Sequence, residues 1–152
     1  MRLRTGSAAL DAALAPLGDA EGAIEDGLVF APRTGLTTWE EAEAELQDAF
    51  RLSQAAMIAE APVIYVLHAD AVLGRGPILD AGVADALVGG ARALAFEGKR
   101  RGRYAAVVGI DPTETPETLG ELSRTVDYLT GTRAAIGQVL MLTDQHLGAM
   151  LP

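Results

Sequence analysis

Two uninterrupted apolar runs, Pro62-Val-Ile-Tyr-Val-Leu67 and Tyr104-Ala-Ala-Val-Val-Gly-Ile110, restrict this chain more than any other feature. A strand without polar alternation has to be covered on both faces, which is the condition of a parallel sheet sandwiched between helices. Between the runs a loop with Gly74, Gly76 and Pro77 leads to an expected helix over 78–97, with Gly98 placed to act as its C′ residue. Gly27-Leu-Val-Phe-Ala31 and Val139-Leu-Met-Leu-Thr143 read as two further strands.

The remaining helices announce themselves by their ends. Residues 7–17 suit a short helix that stops near Pro16 and Gly18. Thr38 with Glu41 forms a capping box ahead of a long helix over 39–60. Its expected buried stripe is Leu46, Ala49, Phe50, Ser53 and Met57, with Glu40, Glu41, Glu43, Glu45 and Asp48 as a solvated surface. Thr115 as N-cap and Pro116 at N1 open a last helix carried by Leu119, Leu122, Val126 and Leu129. Strands alternating with helices predict one α/β domain over residues 1–152, a sheet of about four mainly parallel strands joined by right-handed crossovers.

Composition narrows the function classes. The chain has 152 residues, enough for one domain with a sizeable core, and is 49% hydrophobic and 22% charged. It has no cysteine, so disulfides and thiolate metal sites are excluded. With 21 acids against 12 bases and a net charge of −9, no nucleic-acid partner is expected, because phosphate affinity comes from clustered Lys and Arg. The one basic run, Lys99-Arg-Arg-Gly-Arg103, follows a helix C-terminus, where it complements the helix dipole. No membrane span and no signal peptide are apparent, and the cytoplasm is the expected compartment. Asp144 with His146 offers too few ligands for a metal.

The wording of the helix Ala86-Leu-Val-Gly-Gly-Ala-Arg-Ala-Leu-Ala-Phe-Glu-Gly98, together with Phe50-Arg-Leu-Ser-Gln-Ala-Ala-Met57, Val126-Asp-Tyr-Leu129 and Gly137-Gln-Val-Leu140, resembles the second half of the short-chain dehydrogenase/reductase family. The likeness runs from that family's fourth strand onward, over residues 8–145, and implies a partial Rossmann-like three-layer sandwich. The family's reaction uses a Tyr, a Lys four residues on, a Ser ending the preceding strand and an Asn on the long helix. Aligned on the helix 86–98, these fall at Asp80, Ala84, His68 (or Leu67) and Glu45. A carboxylate with a reference pKa of about 3.9 is a poor proton donor near neutrality, and Ala84 supplies no ammonium to tune it. Phe30-Ala-Pro-Arg33 replaces the family's Asn-Asn-Ala-Gly, and no G-x-G-x-x-G follows a strand. Thr5-Gly6 comes too early to follow one, so neither a catalytic residue nor a cofactor is expected.

The helices 39–60 and 78–97 correspond to the pair that builds a four-helix subunit interface in the resembling family. Interface candidates are Leu46, Phe50, Ser53 and Met57 on the first, and the small residues Gly82, Ala86, Gly89, Gly90 and Ala93 on the second. Loss of the family's first strands also predicts an exposed apolar sheet edge that a partner would cover. The expected protein is thus a non-catalytic SDR-like subunit, forming a homo-oligomer or a hetero-oligomer with a full-length paralogue. The alternatives are a self-associating small-ligand-binding module with a cleft at Leu67, His68 and Leu79, and a residual NAD(P)-dependent oxidoreductase using His68 and Asp80.

Overall fold

Each apolar run becomes a strand of one parallel sheet. The computed structural model describes residues 1–98 and 103–144. Its strands are β1 (Arg2–Arg4), β2 (Leu28–Phe30), β3 (Val63–His68), β4 (Ala105–Ile110) and β5 (Val139–Leu142), and they lie side by side in chain order. All four pairings are parallel, and the longest sets Val63–His68 against Ala105–Ile110. The sheet therefore has five strands rather than about four.

The helices are α1 (Ala8–Leu14), α2 (Trp39–Ile58), the single turn α3 (Ala69–Val72), α4 (Ile78–Gly98) and α5 (Pro116–Thr132). Their starts follow from local chemistry. Thr38 and Glu41 make both bonds of the capping box at α2, and Thr115 accepts from the Thr118 N–H ahead of Pro116. Gly98 is the last residue of α4, not the residue after it.

Strand alternation divides the core into two layers. Phe30, Tyr65, Leu67 and Val107 face Leu52, Leu87 and Val83 of α2 and α4. Val29, Ile64, Val66 and Val108 face Leu10 and Leu14 of α1 and Leu122 and Val126 of α5. The first and last crossovers thus pass over one face and the middle two over the other. Because every step moves to the next strand in one direction, the two pairs have opposite hands. Right-handed crossovers throughout are excluded, and the usual bias yields here to the need to cover both faces.

The sheet edge at β1 is closed within the chain. The strand is three residues long and carries two arginines, and the segment after α1 returns along its outer side. Leu3 donates to the Asp19 carbonyl at 2.8 Å, and Arg2 Nε donates to the Gly22 carbonyl at 2.8 Å. A short, charged, loop-covered edge does not seek another strand. The expected apolar edge is absent here, and so is the case for a partner on that side.

Two burial expectations also fail. Phe50 is 70% exposed and Leu46 only half-buried, while Ala42, Leu52 and Ala56 join Ala49, Ser53 and Met57 in the buried stripe. Glu45, expected in solvent, is 1% exposed. Among the described residues no helix is long and apolar enough to cross a membrane.

Candidate functional site

In open parallel sheets, ligands bind beyond the carboxyl ends of strands whose connections leave to opposite faces. That condition is met between β1 and β2, where α1 and α2 lie on opposite faces, and between β3 and β4, where α4 and α5 do. The loops at this edge carry Thr5 to Ser7, Ala31 to Thr38, His68 and Asp111 to Thr115. All the degenerate family positions except Ala84 make side-chain bonds that bear on these loops.

Glu45 is the centre of the first crevice. Arg4, the last residue of β1, grips it with two parallel bonds of 2.6 and 2.9 Å and donates through Nε to Asp48 at 3.0 Å. Arg33 donates to the same carboxylate through Nε at 2.6 Å and through its backbone N–H at 3.1 Å. The Arg4 guanidinium also lies over the Phe30 ring, 4.7 Å from its centroid. Burial alone pushes the Glu45 carboxyl up, but the bonds from Arg4 and Arg33 outweigh it and hold the group below its ordinary value. Such a carboxylate is ionised and fully engaged.

Asp80, in the first turn of α4, is 8% exposed. Its two carboxylate oxygens accept from the backbone N–H groups of Gly35 at 2.7 Å and Leu36 at 2.9 Å. Gly35 takes a φ of +73°, which lets the chain turn so that both amides face the carboxylate. Asp80 therefore staples the loop after β2 to α4. Ala84, one turn on, is buried in the core layer beneath α2 and α4.

His68 ends β3 and stands beside the second crevice. Glu114 accepts from His68 Nε2 at 3.2 Å and from the Ser7 hydroxyl at 2.8 Å, and its own φ of +46° is a left-handed conformation unusual outside glycine. His68 and Asp80, the two residues of the residual-oxidoreductase alternative, have separate partners: Glu114 for the first, the Gly35 and Leu36 amides for the second. The cleft expected around Leu67, His68 and Leu79 is likewise filled, with Leu67 buried in the sheet and Leu79 against Val83 and its neighbours.

A dinucleotide would have to approach the turn after β1, since β1 stands beside β2 as strand 1 stands beside strand 4 in the doubly wound fold. Thr5-Gly6 does follow a strand, contrary to the sequence expectation. The turn nonetheless does not fit the cofactor. A Cβ on Gly6 would lie 2.7 Å from the Arg33 Cα, so the loop after β2 already occupies the close approach that glycine leaves to a pyrophosphate. Ser7 accepts from the Ala9 and Leu10 N–H groups of the seven-residue α1, and the anionic group at that end is the carboxylate of Glu114.

The outer face of α2 and α4 has a different character. Trp39, Phe50 and Ile58 on α2, and Ile78 and Phe96 on α4, are large apolar side chains in solvent, the last two 85% and 84% exposed. Ile78 and Phe96 are eighteen residues apart, five full helical turns, and so share one azimuth. Gly82 and Gly89 lie along the same stripe with open space where a Cβ would stand, and Ala86 and Ala93 are exposed beside them. Two grooves run between the helices: one of about 480 Å³ floored by Ser53 and Tyr65, the other of about 490 Å³ beside Trp39, Leu79 and Gly82. Phe50 borders both, and Leu46 and Met57 line the first.

Sequence reasoning did not single out Arg4, Arg33, Glu114 or Tyr65. The signal available for Arg33 was its place in Phe30-Ala-Pro-Arg33, where the family pattern is broken. Asp144 is exposed, and no group of three or more metal-ligating side chains occurs among the described residues. His146 and residues 99–102 of the basic run lie outside the described residues.

No protein-family model matches the sequence, and no curated protein is similar to it. Solved structures are. BdcA, determined in complex with NADPH, matches with a TM-score of 0.57 and 17% identity over 88% of this chain and 68% of its own. An oxidoreductase of the short-chain dehydrogenase/reductase family from Burkholderia thailandensis matches with a TM-score of 0.61 and 22% identity, over 88% and 66%. A short-chain dehydrogenase from Burkholderia cenocepacia J2315 in complex with NADP gives 0.55 and 18%, over 75% and 62%. The chain thus spans about two thirds of the length of these structures.

Proposed function

We propose that this chain is a non-catalytic subunit built on the fold it shares with the short-chain dehydrogenases/reductases, a Rossmann-like parallel sheet between helical layers. It docks the outer face of α2 and α4 onto a complete, active dehydrogenase/reductase of the same fold and stabilises or shapes it. One observation supports this above all: the positions aligned with the family's reactive residues hold this chain's own loops or core, as Glu45, Asp80, His68 and Ala84 do. The two long helices meanwhile present large apolar side chains to solvent.

Apolar crests separated by glycines suit helix–helix docking, because the missing Cβ atoms let a second backbone come close. Several large apolar side chains exposed along two neighbouring helices are what an interaction surface would carry. The partner is a protein of the same fold because, in the resembling family, this pair of helices is the one that associates.

Native purification from the source cell with intact-complex mass spectrometry tests the proposal. A stoichiometric full-length dehydrogenase is the expected companion, and Ile78→Arg with Phe96→Arg should release it without unfolding the chain. A homo-oligomer with no other chain, or a complex indifferent to both substitutions, overturns it.

A further inference from the structure

The groove between α2 and α4 is apolar along its walls but not at its floor. There Ser53 Oγ and Tyr65 Oη share one hydrogen bond of 2.7 Å, and the two residues are 4% and 3% exposed. Two hydroxyls carry two protons and their mutual bond uses one, so one O–H donor is left over. The helix residue above Tyr65 is Gly90; even a Cβ there would stay 4.0 Å from Tyr65 Oη, the only atom it would approach. Position 90 thus leaves open the way from the groove to the hydroxyl pair. A second donor lies at the groove's far end: Arg103 lines it, and its buried Nε has no hydrogen-bond partner. Buried donors without acceptors are rare in folded proteins, because each costs its full desolvation.

Both free polar groups are donors, which settles the chemistry they would recognise: an acceptor oxygen. The setting favours an uncharged one. Glu97 also lines this end, and α2 and α4 both end there, so one carboxylate and two negative dipole ends offset the positive charge of the Arg103 guanidinium and leave no net pull on an anion. We propose that the groove between α2 and α4 binds a small, uncharged, mainly apolar molecule through a carbonyl-type oxygen. That oxygen accepts from the Ser53–Tyr65 hydroxyl pair while the apolar body lies against Met57, Leu87 and Leu94. The groove's volume, about 480 Å³, is that of a small-molecule site. The inference does not depend on the docking proposed above. Ile78 and Phe96 line neither groove, so substitutions there remove a docked partner without altering the groove's lining.

The test uses the full chain carrying Ile78→Arg and Phe96→Arg, which takes the helix face out of any assembly and leaves the groove intact. The probe is prodan, a neutral aryl ketone whose emission reports its surroundings. Saturable binding with a blue shift is expected, and the parent dimethylaminonaphthalene, which lacks the ketone, should bind about fivefold more weakly, the worth of one neutral hydrogen bond. Gly90→Leu, placed where a side chain has room and in a helix that favours it, should weaken prodan at least tenfold while raising the melting temperature. Ser53→Ala with Tyr65→Phe removes both hydroxyls together, leaves no orphan, and should fold yet lose about fivefold. Ser53→Ala alone frees the tyrosine proton and should bind nearly as the parent does. No saturable binding, or binding unchanged in Gly90→Leu, overturns the site. Equal affinity for the two dyes, or no loss in the double hydroxyl variant, overturns the recognition of an acceptor. If wild-type chain proves monomeric in the source cell but prodan binds as expected, the docking proposal fails and this one stands.

Discussion

At the carboxyl edge of the sheet, Arg4, Arg33, Glu45, Asp80, His68 and Glu114 all have partners inside the chain, at distances between 2.6 and 3.2 Å. On the outer face of α2 and α4, Trp39, Phe50, Ile58, Ile78 and Phe96 stand in solvent, and Gly82 and Gly89 have open space above them. In an enzyme of this architecture the first region has polar groups held in readiness for a ligand. Here that region is consumed in holding loops, and the second has the free surface. A single property separates them: whether a side chain's chemistry is satisfied within the chain. Mutations should therefore act on folding in the first region and on association in the second.

The largest contrast pairs Glu45→Ala with Phe50→Ser. Removing Glu45 leaves Arg33 and half-buried Arg4 without their shared acceptor, although Asp48 still holds Arg4 Nε. Breaking a buried ion pair from one side costs about 3–5 kcal/mol, and with Asp48 remaining the expected loss is about 3 kcal/mol. Phe50→Ser, at an exposed position, should leave the free chain within about 0.5 kcal/mol of wild type. Urea unfolding of both variants compares them directly, and equal losses would erase the distinction between the regions.

Asp80→Ala comes next. It strips the acceptors from the Gly35 and Leu36 amides, and the expected cost is about 2 kcal/mol. Hydrogen exchange supplies a reading that a general loss of packing would not, since those two amides should lose protection ahead of the β3 and β4 amides. Slow exchange persisting at Gly35 and Leu36 in the variant would mean that the loop is held by something other than Asp80.

How much of this was legible in the sequence depends on where each residue's partner lies. The strands β2 to β5 and the long helices could be read because their signals are local: continuous apolar runs, the Thr38–Glu41 box, and Thr115 before Pro116. β1 could not, because Arg2-Leu3-Arg4 has one apolar residue and owes its strand to Leu28–Phe30 and to Asp19. Glu45 falls among acidic residues on α2 and looks solvated until Arg4, forty-one positions earlier, arrives beside it. Asp80 and His68 were singled out by alignment to catalytic positions, but alignment carries no information on Gly35, Leu36 or Glu114 as their partners. Phe50 was misplaced for the opposite reason: helical periodicity identifies an apolar face without saying whether the chain itself covers it.

Acid should act on the first region in the same direction as Glu45→Ala, more gradually. Burial raises the Glu45 carboxyl, and the bonds from Arg4 and Arg33 bring it below its ordinary 4.5. Asp48 is held below 3.8, chiefly by its bond from Arg51 and then, against a desolvation that raises it, by Arg4. A carboxyl depressed in the folded state contributes stability that is complete above its unfolded pKa and is lost as pH falls through the folded one. The Glu45 contribution to the urea midpoint should therefore be constant from neutrality to about pH 5 and decline as the pH falls further. In Glu45→Gln that part of the acid limb should disappear. An acid limb of unchanged depth in Glu45→Gln would place the titrating groups elsewhere.

The smallest effect gives the finest test of the second region, because it should reverse sign between the free and the associated chain. At Gly82 and Gly89 an added Cβ meets nothing within 4 Å, so alanine clashes with no part of this chain. Each substitution should stabilise the free chain by about 0.5–1 kcal/mol through the lower backbone entropy of the unfolded state. On a face that receives another helix, the same methyl group holds the two backbones apart and weakens the contact. Melting temperature measured on the dilute chain should rise, and the midpoint of association, followed by sedimentation at increasing protein concentration with the partner present, should move to higher concentration. A rise in both stability and association would mean that these glycines are not at the contact, and the docking face would then have to be sought nearer Trp39 and Ile58, away from the glycine stripe.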